Sequence, residues 1–196
     1  MSAPPPVPDP HRAAAPRTAR PSAPPGESGC TLLLVRHAKA VPKGTVEDFD
    51  RPLSDRGRAD ASQAGRWLAE SPFHAELALC SPARRTRQTW QLAEPALRSG
   101  RPPTIYDERL YDATPNELVA VLEERGPGHG SVVMVGHNSG IHELAAALCG
   151  EGPQEELDRL RARFPTAGVV AVYLPDGWGS VAPGRGSLAA FWVPDR

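Results

Sequence analysis

The chain has 196 residues, 40% of them hydrophobic and 23% charged, with a formal net charge of −1 at pH 7. This is the composition of one globular domain with a core of its own. It supplies no basic field for nucleic acid, and no apolar run approaches the roughly 18 residues that a membrane-spanning helix needs. The three cysteines, Cys30, Cys80 and Cys149, have no metal-ligand spacing. Cys80 and Cys149 stand in apolar surroundings as small core residues, and the set suits a reducing cytoplasm.

The N-terminal stretch MSAPPPVPDPHRAAAPRTARPSAPPGESG holds nine of the 23 prolines and no aromatic, leucine or isoleucine. It cannot bury enough surface to offset the entropy of ordering, so residues 1–29 are predicted to be a disordered tail and residues 30–196 the folded domain. The tail has no apolar segment of the secretory kind; its functional reading is a Pro-rich docking segment or a basic arm.

Leu32–Val35 reads as a short buried strand that runs straight into Arg36 and His37. Residues 41–53, VPKGTVEDFDRPL, form a loop. Ser54 then caps a helix to about Glu70, with Ala61, Ala64 and Leu68 on one face. Leu77–Cys80 is a second strand. Ser81-Pro82 reads as a helix cap followed by proline at the first helical position, and that helix carries Trp90, Ala93 and Leu97 inward before Pro95 kinks or ends it. Thr104–Tyr106 is a short third strand. Thr114-Pro115-Asn116-Glu117 is a capping box whose helix runs to about Glu124 and stops at Gly126. Val132–Val135 is a further apolar strand ending at Gly136-His137. The helix after it carries Ile141, Leu144, Ala145 and Leu148 and stops at Gly150. Gln154–Arg163 is a short charged helix, and Val169–Leu174 pairs with Leu188–Val193 as a terminal hairpin.

Strands alternating with helices predict an α/β fold, a three-layer sandwich with a mainly parallel central sheet flanked by helices. In such sheets ligands bind beyond the carboxyl ends of the strands. Here those ends carry Arg36-His37, Cys80-Ser81 and Gly136-His137, with Arg84, Arg85 and Arg87 on the next helix and Asp107 and Glu108 in a loop. Guanidinium groups hold phosphate bidentately and stay charged. An imidazole with a reference pKa of about 6.5 is available as an unprotonated nucleophile near neutral pH, more so beside arginines. Attack on phosphorus would give a phosphohistidine that water hydrolyses, with fixed cations balancing the charge on the transferring group.

TLLLVRHAKA, FDRPLSDRG, CSPARRTRQT and VVMVGHNSGI, in this order, resemble the histidine phosphatase superfamily, and within it the SixA-like phosphohistidine phosphatases. The resemblance covers residues 31–193 and implies a phosphoglycerate mutase-like fold. It makes His37 the phosphate-accepting nucleophile, Arg36 and Arg85 the phosphate-binding arginines, and His137 the second histidine at the phosphoryl group. Asn138 becomes a donor to phosphate or a shaper of the loop. Glu108 sits where mutase-like relatives place a proton donor, although the SixA-like branch lacks a clear one, and is equally readable as a surface carboxylate. Arg84 and Arg87 read as a solvated face. Asp48, Asp50 and Arg51 either hold their loop by an ion pair or border the pocket, the structural role being preferred. His142 reads as structural, and Trp67 and Trp90 as core.

The implied activity is a metal-independent, cofactor-free phosphatase, removing phosphate from phosphohistidine on a protein. The alternatives are a phosphatase of a small phosphorylated metabolite and a phosphate-binding interaction module without turnover. Neither nucleic acid nor membrane is an expected partner, and the expected location is cytoplasmic.

Overall fold

Period-two alternation along the first strand decides the architecture. Leu32 and Leu34 enter one apolar cluster and Leu33 and Val35 another, one on each face of a single sheet. The computed structural model describes residues 29–44, 46–97 and 100–195; the tail expected over 1–29 lies, but for Gly29, outside them. Seven strands, β1 (Cys30–Arg36), β2 (Leu77–Cys80), β3 (Thr104–Tyr106), β4 (Ser131–Gly136), β5 (Cys149–Glu151), β6 (Val169–Leu174) and β7 (Gly186–Trp192), form one sheet in the order β3-β2-β4-β1-β6-β7-β5. The first four positions in that order are mutually parallel. Strand β6 runs antiparallel to β1 and β7, and β5 runs parallel to β7.

Helices α1 (Asp55–Glu70) and α2 (Arg84–Ala93) cover one face through Ala64, Leu68, Trp90 and Ala93. Helices α3 (Pro115–Arg125), α4 (Gly140–Leu148) and α5 (Gln154–Ala162) cover the other through Leu118, Leu122, Ile141, Leu144 and Leu160. The predicted three-layer sandwich is therefore the observed one. Fully burying each leucine of Leu32–Leu34 stabilises by about 1.5–3 kcal/mol, so β1 is a rigid base for whatever follows it.

Caps fix where the helices begin. Ser54 Oγ accepts the Gly57 amide at 3.1 Å, and Thr114 and Glu117 complete their capping box, the Glu117 carboxylate accepting from the Thr114 amide at 2.8 Å. Two expectations change. The helix expected to stop at Gly150 ends at Leu148, because Cys149–Glu151 pairs with β7 as an additional strand. Helix α2 does not open on Ser81-Pro82; it begins at Arg84 with Ala83 at the cap position and no side-chain cap. The reason lies in the site, where the Ser81 hydroxyl has another partner. Cys30, Cys80 and Cys149 are all buried free thiols, and burial pushes Cys30 and Cys149 up to about 12.

Candidate active site

Register brings three strand ends level. β1 and β4 pair Arg36 with Gly136, and β2 and β4 pair Cys80 with Val135. The ladder continues past each strand: the His37 amide donates to Gly136 O at 3.0 Å, and the Ser81 amide to Val135 O at 3.0 Å. From the antiparallel side, the Ala167 amide donates to Arg36 O at 3.1 Å. The backbone that carries the two candidate histidines is thus an extension of the sheet.

The His37 ring donates from Nδ1 to the Ala38 carbonyl at 2.8 Å. A carbonyl only accepts, so the proton sits on Nδ1 and Nε2 keeps its lone pair. The ring lies 5.2 Å, centroid to centroid, from that of His137. Burial, with the charges of Arg85, Arg36 and Arg51, lowers the His37 pKa to about 4 against a smaller upward pull from the Ala38 hydrogen bond. His137 is lowered to about 3 by burial, by His37 and by Arg85. Both rings are neutral at physiological pH, as a nucleophilic imidazole requires.

Arg85, buried as a cation on the first turn of α2, donates from Nη2 to His137 Nδ1 at 3.1 Å. That fixes the other His137 tautomer, with Nε2–H donating to Ser81 Oγ at 2.8 Å. Ser81 is therefore spent on the imidazole and not on capping α2. His137 bridges Ser81 and Arg85, and its ring stands beside that of His37.

Arg36 donates from Nη1 to Phe164 O at 2.7 Å, and Asn138 Nδ2 donates to the same carbonyl at 3.1 Å. The Nε atoms of Arg36 and Arg85 are buried with no hydrogen-bond partner among the described residues. Each guanidinium thus keeps part of its donor fork unspent on the protein.

The 41–53 loop closes on this cluster. Asp48, in the 3-10 turn Asp48–Asp50, accepts from Arg85 Nη2 at 3.0 Å, from Arg51 Nε at 3.0 Å and from the Tyr111 hydroxyl at 2.9 Å. Burial pushes its carboxyl up, but Tyr111, Arg85 and Arg51 outweigh this and bring it down to about 2. Arg51 also donates to Val41 O at 2.8 Å. Asp48 and Arg51 thus hold the loop by an ion pair and border the cluster as well, while Asp50 makes no such contact among the described residues.

Helix α2 fastens the loop and the segment after His37 together. Gln88 Oε1 accepts the Leu53 amide at 2.8 Å, and Thr89 Oγ1 accepts the Ala38 amide at 2.9 Å. Gly57 lies against the Lys39 carbonyl so closely that a Cβ there would stand 2.0 Å from the oxygen. The bulk that any other residue carries would part α1 from the segment after His37.

Of the residues the sequence singles out, Arg36, His37, Arg85, His137 and Asn138 meet here. Glu108 does not: its side chain is exposed, in the 3-10 turn Glu108–Leu110, with no hydrogen bond to the cluster. The side chain from that stretch that does reach the cluster is Tyr111, whose ring meets His137 edge-on at 5.4 Å and lies 5.8 Å below the Arg85 guanidinium carbon. Sequence reasoning missed Tyr111, Ser81, Gln88 and Thr89 as parts of the site. The last three stand in the block that supplies Arg85, so block membership was their signal; Tyr111 had none. Arg84 and Arg87 are exposed as expected. His142 donates from Nε2 to Leu160 O at 2.7 Å and its ring meets Phe164 edge-on, contacts that tie α4 to α5 and fit the structural reading.

Comparison with known proteins agrees with this geometry. Residues 32–118 match the model of the histidine phosphatase superfamily, branch 1. An uncharacterized protein of Mycobacterium tuberculosis is 33% identical over 162 residues, covering 82% of this chain and 99% of that one. Among solved structures, a chain provisionally assigned as phosphohistidine phosphatase SixA from Nakamurella multipartitia superposes with a TM-score of 0.74 at 26% identity, over 85% of this chain and 96% of its own. One with the same provisional assignment from Agrobacterium tumefaciens gives 0.69 at 30% identity, over 84% and 98%. The ordered motifs, the strand order that gathers them and these likenesses agree, and the chain belongs to the histidine phosphatase superfamily, in its SixA-like branch.

Proposed function

We propose that residues 30–196 form a phosphohydrolase that works through a covalent phosphohistidine on His37, with phosphohistidine on a protein as its substrate. The observation that carries the chemistry is the His37 tautomer. Nδ1–H is committed to the Ala38 carbonyl, which leaves Nε2 as the nucleophile beside Arg36, Arg85 and His137. In-line attack by Nε2 forms the N–P bond and expels the leaving group; water then cleaves the N–P bond to release phosphate. The guanidinium groups neutralise charge on the transferring oxygens in both steps, and Asn138 shapes the loop by sharing the Phe164 carbonyl with Arg36.

Two features favour a protein substrate. Val46 and Phe49, 48% and 38% exposed, stand on the loop that borders the cluster, an apolar rim able to meet a macromolecular surface. The Agrobacterium tumefaciens relative at 30% identity is provisionally assigned as a phosphohistidine phosphatase. No helix among the described residues is long and apolar enough to cross a membrane. Three free, buried thiols suit a reducing compartment, and on that ground we place the enzyme in the cytoplasm.

The test is hydrolysis of a generic aryl phosphate in chelator, with trapping of acid-labile phosphate on the protein, followed by a comparison of kcat/KM for phosphohistidine peptides against sugar and nucleotide phosphates. Wild type labels and turns over, and His37→Ala does neither. Full activity of His37→Ala defeats the covalent route. A higher kcat/KM on sugar phosphates assigns a metabolite substrate, and binding without turnover assigns an interaction module.

A further inference from the structure

A phosphatase for esters needs an acid at its leaving group, and the cluster offers none. Glu108 is exposed and makes no hydrogen bond to it among the described residues. The carboxylate that does stand there, Asp48, is held ionised by Arg85, Arg51 and the Tyr111 hydroxyl. A carboxylate fixed as an anion accepts hydrogen bonds and cannot donate one. Its place is one guanidinium from the reacting centre, since the same Arg85 Nη2 that it binds at 3.0 Å also reaches His137 at 3.1 Å.

Its hydrogen-bond count leaves room for one more donor. Oδ2 takes Arg85 and Tyr111 and is filled, whereas Oδ1 takes only Arg51 among the described residues. A carboxylate oxygen accepts about two, and the Asp48 side chain is 41% exposed. A spare, partly exposed acceptor on a permanent anion, bound to the arginine that touches His137, suits a leaving group that is itself a cationic N–H donor.

We propose that Asp48 Oδ1 accepts the ring N–H of a phosphorylated imidazolium and so selects phosphohistidine over phosphate esters. The inference rests on the function proposed above and names its specificity-determining residue. The step balances without a proton donor. His37 Nε2 forms its bond to phosphorus as the bond from phosphorus to the substrate nitrogen breaks. The electron pair of the broken bond returns to the substrate ring, which carried one positive charge and departs as neutral imidazole with its N–H still on Asp48. An alkoxide leaving group has no such N–H and departs as an anion next to a carboxylate, which is repulsive. The groups facing Asp48 are Arg51 from its own loop, Arg85 from α2 and Tyr111 from the segment before α3; His137 and His37 lie beyond Arg85. Of these, the guanidinium groups only donate and His37 Nε2 is engaged in the attack, so Asp48 Oδ1 is the anionic acceptor open to that N–H.

The experiment compares leaving groups. For wild type and Asp48→Asn, kcat/KM is measured on a phosphohistidine peptide and on an aryl phosphate. It is also measured on phosphoimidazole and its N-methyl phosphoimidazolium, which keeps the charge and lacks the N–H, each corrected for its uncatalysed rate. Asp48→Asn is expected to lose about ten- to hundredfold more on phosphohistidine than on the aryl phosphate, the worth of a hydrogen bond between charged groups. Wild type alone is expected to prefer phosphoimidazole over its methylated form, by a similar factor. If Asp48 only holds Arg85 and the loop, Asp48→Asn loses equally on both substrates, and that result overturns the inference while leaving the proposed function intact. The methylation comparison needs no variant, so wild type without a preference overturns it even where Asp48→Asn fails to fold. Aryl phosphate turnover with no cleavage of phosphohistidine removes both proposals at once.

Discussion

Thr89→Val tests whether helix α2 holds His37, the proposed nucleophile, in place. Thr89 is fully buried; its hydroxyl accepts the Ala38 amide at 2.9 Å and donates to Arg85 O at 2.7 Å. Valine fills nearly the same volume, so the loss is electrostatic. Arg85 O keeps the helical bond available to it, but the buried Ala38 N–H is orphaned at a cost of about 1–3 kcal/mol. At about 2–4 °C per kcal/mol for a domain of this size, the melting temperature should fall by roughly 4–8 °C for a 2 kcal/mol loss. Catalysis should suffer separately. The Ala38 carbonyl fixes the His37 ring through Nδ1, and the peptide that carries it loses its tether, so kcat on an aryl phosphate should drop about tenfold or more, with KM little changed. Thermal unfolding and steady-state kinetics on the same preparations read both effects, with Thr89→Ser as the control that keeps the hydroxyl. A valine variant with wild-type melting temperature and kcat, or a serine variant as impaired as the valine, refutes the reasoning.

Other outcomes follow from the same geometry. The acid limb of kcat/KM on an aryl phosphate should lie near pH 4, the value to which burial and the arginines lower His37, not at the free imidazole value of about 6.5. Stability should fall as pH drops from about 6.5 toward these lowered values: the unfolded chain protonates both histidines in that window while the native state leaves them neutral, so protons favour unfolding; a flat melting temperature between pH 7 and 4 contradicts this. Gly57→Ala, whose Cβ would meet the Lys39 carbonyl at 2.0 Å, should destabilise by about 1–3 kcal/mol in denaturant titration. Arg85→Lys should cost about a hundredfold or more in kcat/KM, because one ammonium cannot serve Asp48, His137 and an oxyanion in the geometry of the planar guanidinium. Glu108→Gln should stay far short of the hundredfold loss expected of a general acid, since its exposed carboxylate makes no hydrogen bond to the cluster among the described residues.

What was legible in the sequence was what local physics dictates. Apolar runs ending abruptly in Arg36-His37 and Gly136-His137 marked strands and their functional ends, and Thr114 through Glu117 marked a helix start that the structure reproduces. Strand order was not legible, yet it alone makes β1, β4 and β2 neighbours. Ser81 shows why local rules fail at such a place: its cap chemistry is real, but a buried imidazole 2.8 Å away competes for the hydroxyl and wins. Glu108 and Tyr111 belong to the same short turn, and which of them faces the cluster is set by how that turn packs. The strand Cys149–Glu151 escaped notice because three residues carry too little periodicity to show pairing that is decided by β7.

Charge balance explains why the cluster tolerates Asp48. Three guanidinium groups, Arg36, Arg51 and Arg85, lower the His37 pKa, and one carboxylate opposes them, so the fixed charge is three positive against one negative. An incoming phosphoryl dianion is then neutralised to a first approximation, which makes the cluster attractive to it and unfavourable to protonation of either imidazole. Removing the Asp48 charge enlarges the cationic excess. That pushes His37 and His137 further toward the neutral form and strengthens attraction for phosphate. A rate loss in Asp48→Asn therefore cannot come from a protonated nucleophile or from weaker long-range attraction. It must come from displacement of what Asp48 holds, Arg85, Arg51, Tyr111 and their loop, or from a leaving group deprived of its anionic acceptor, and only the second of these distinguishes an imidazolium from a phenol.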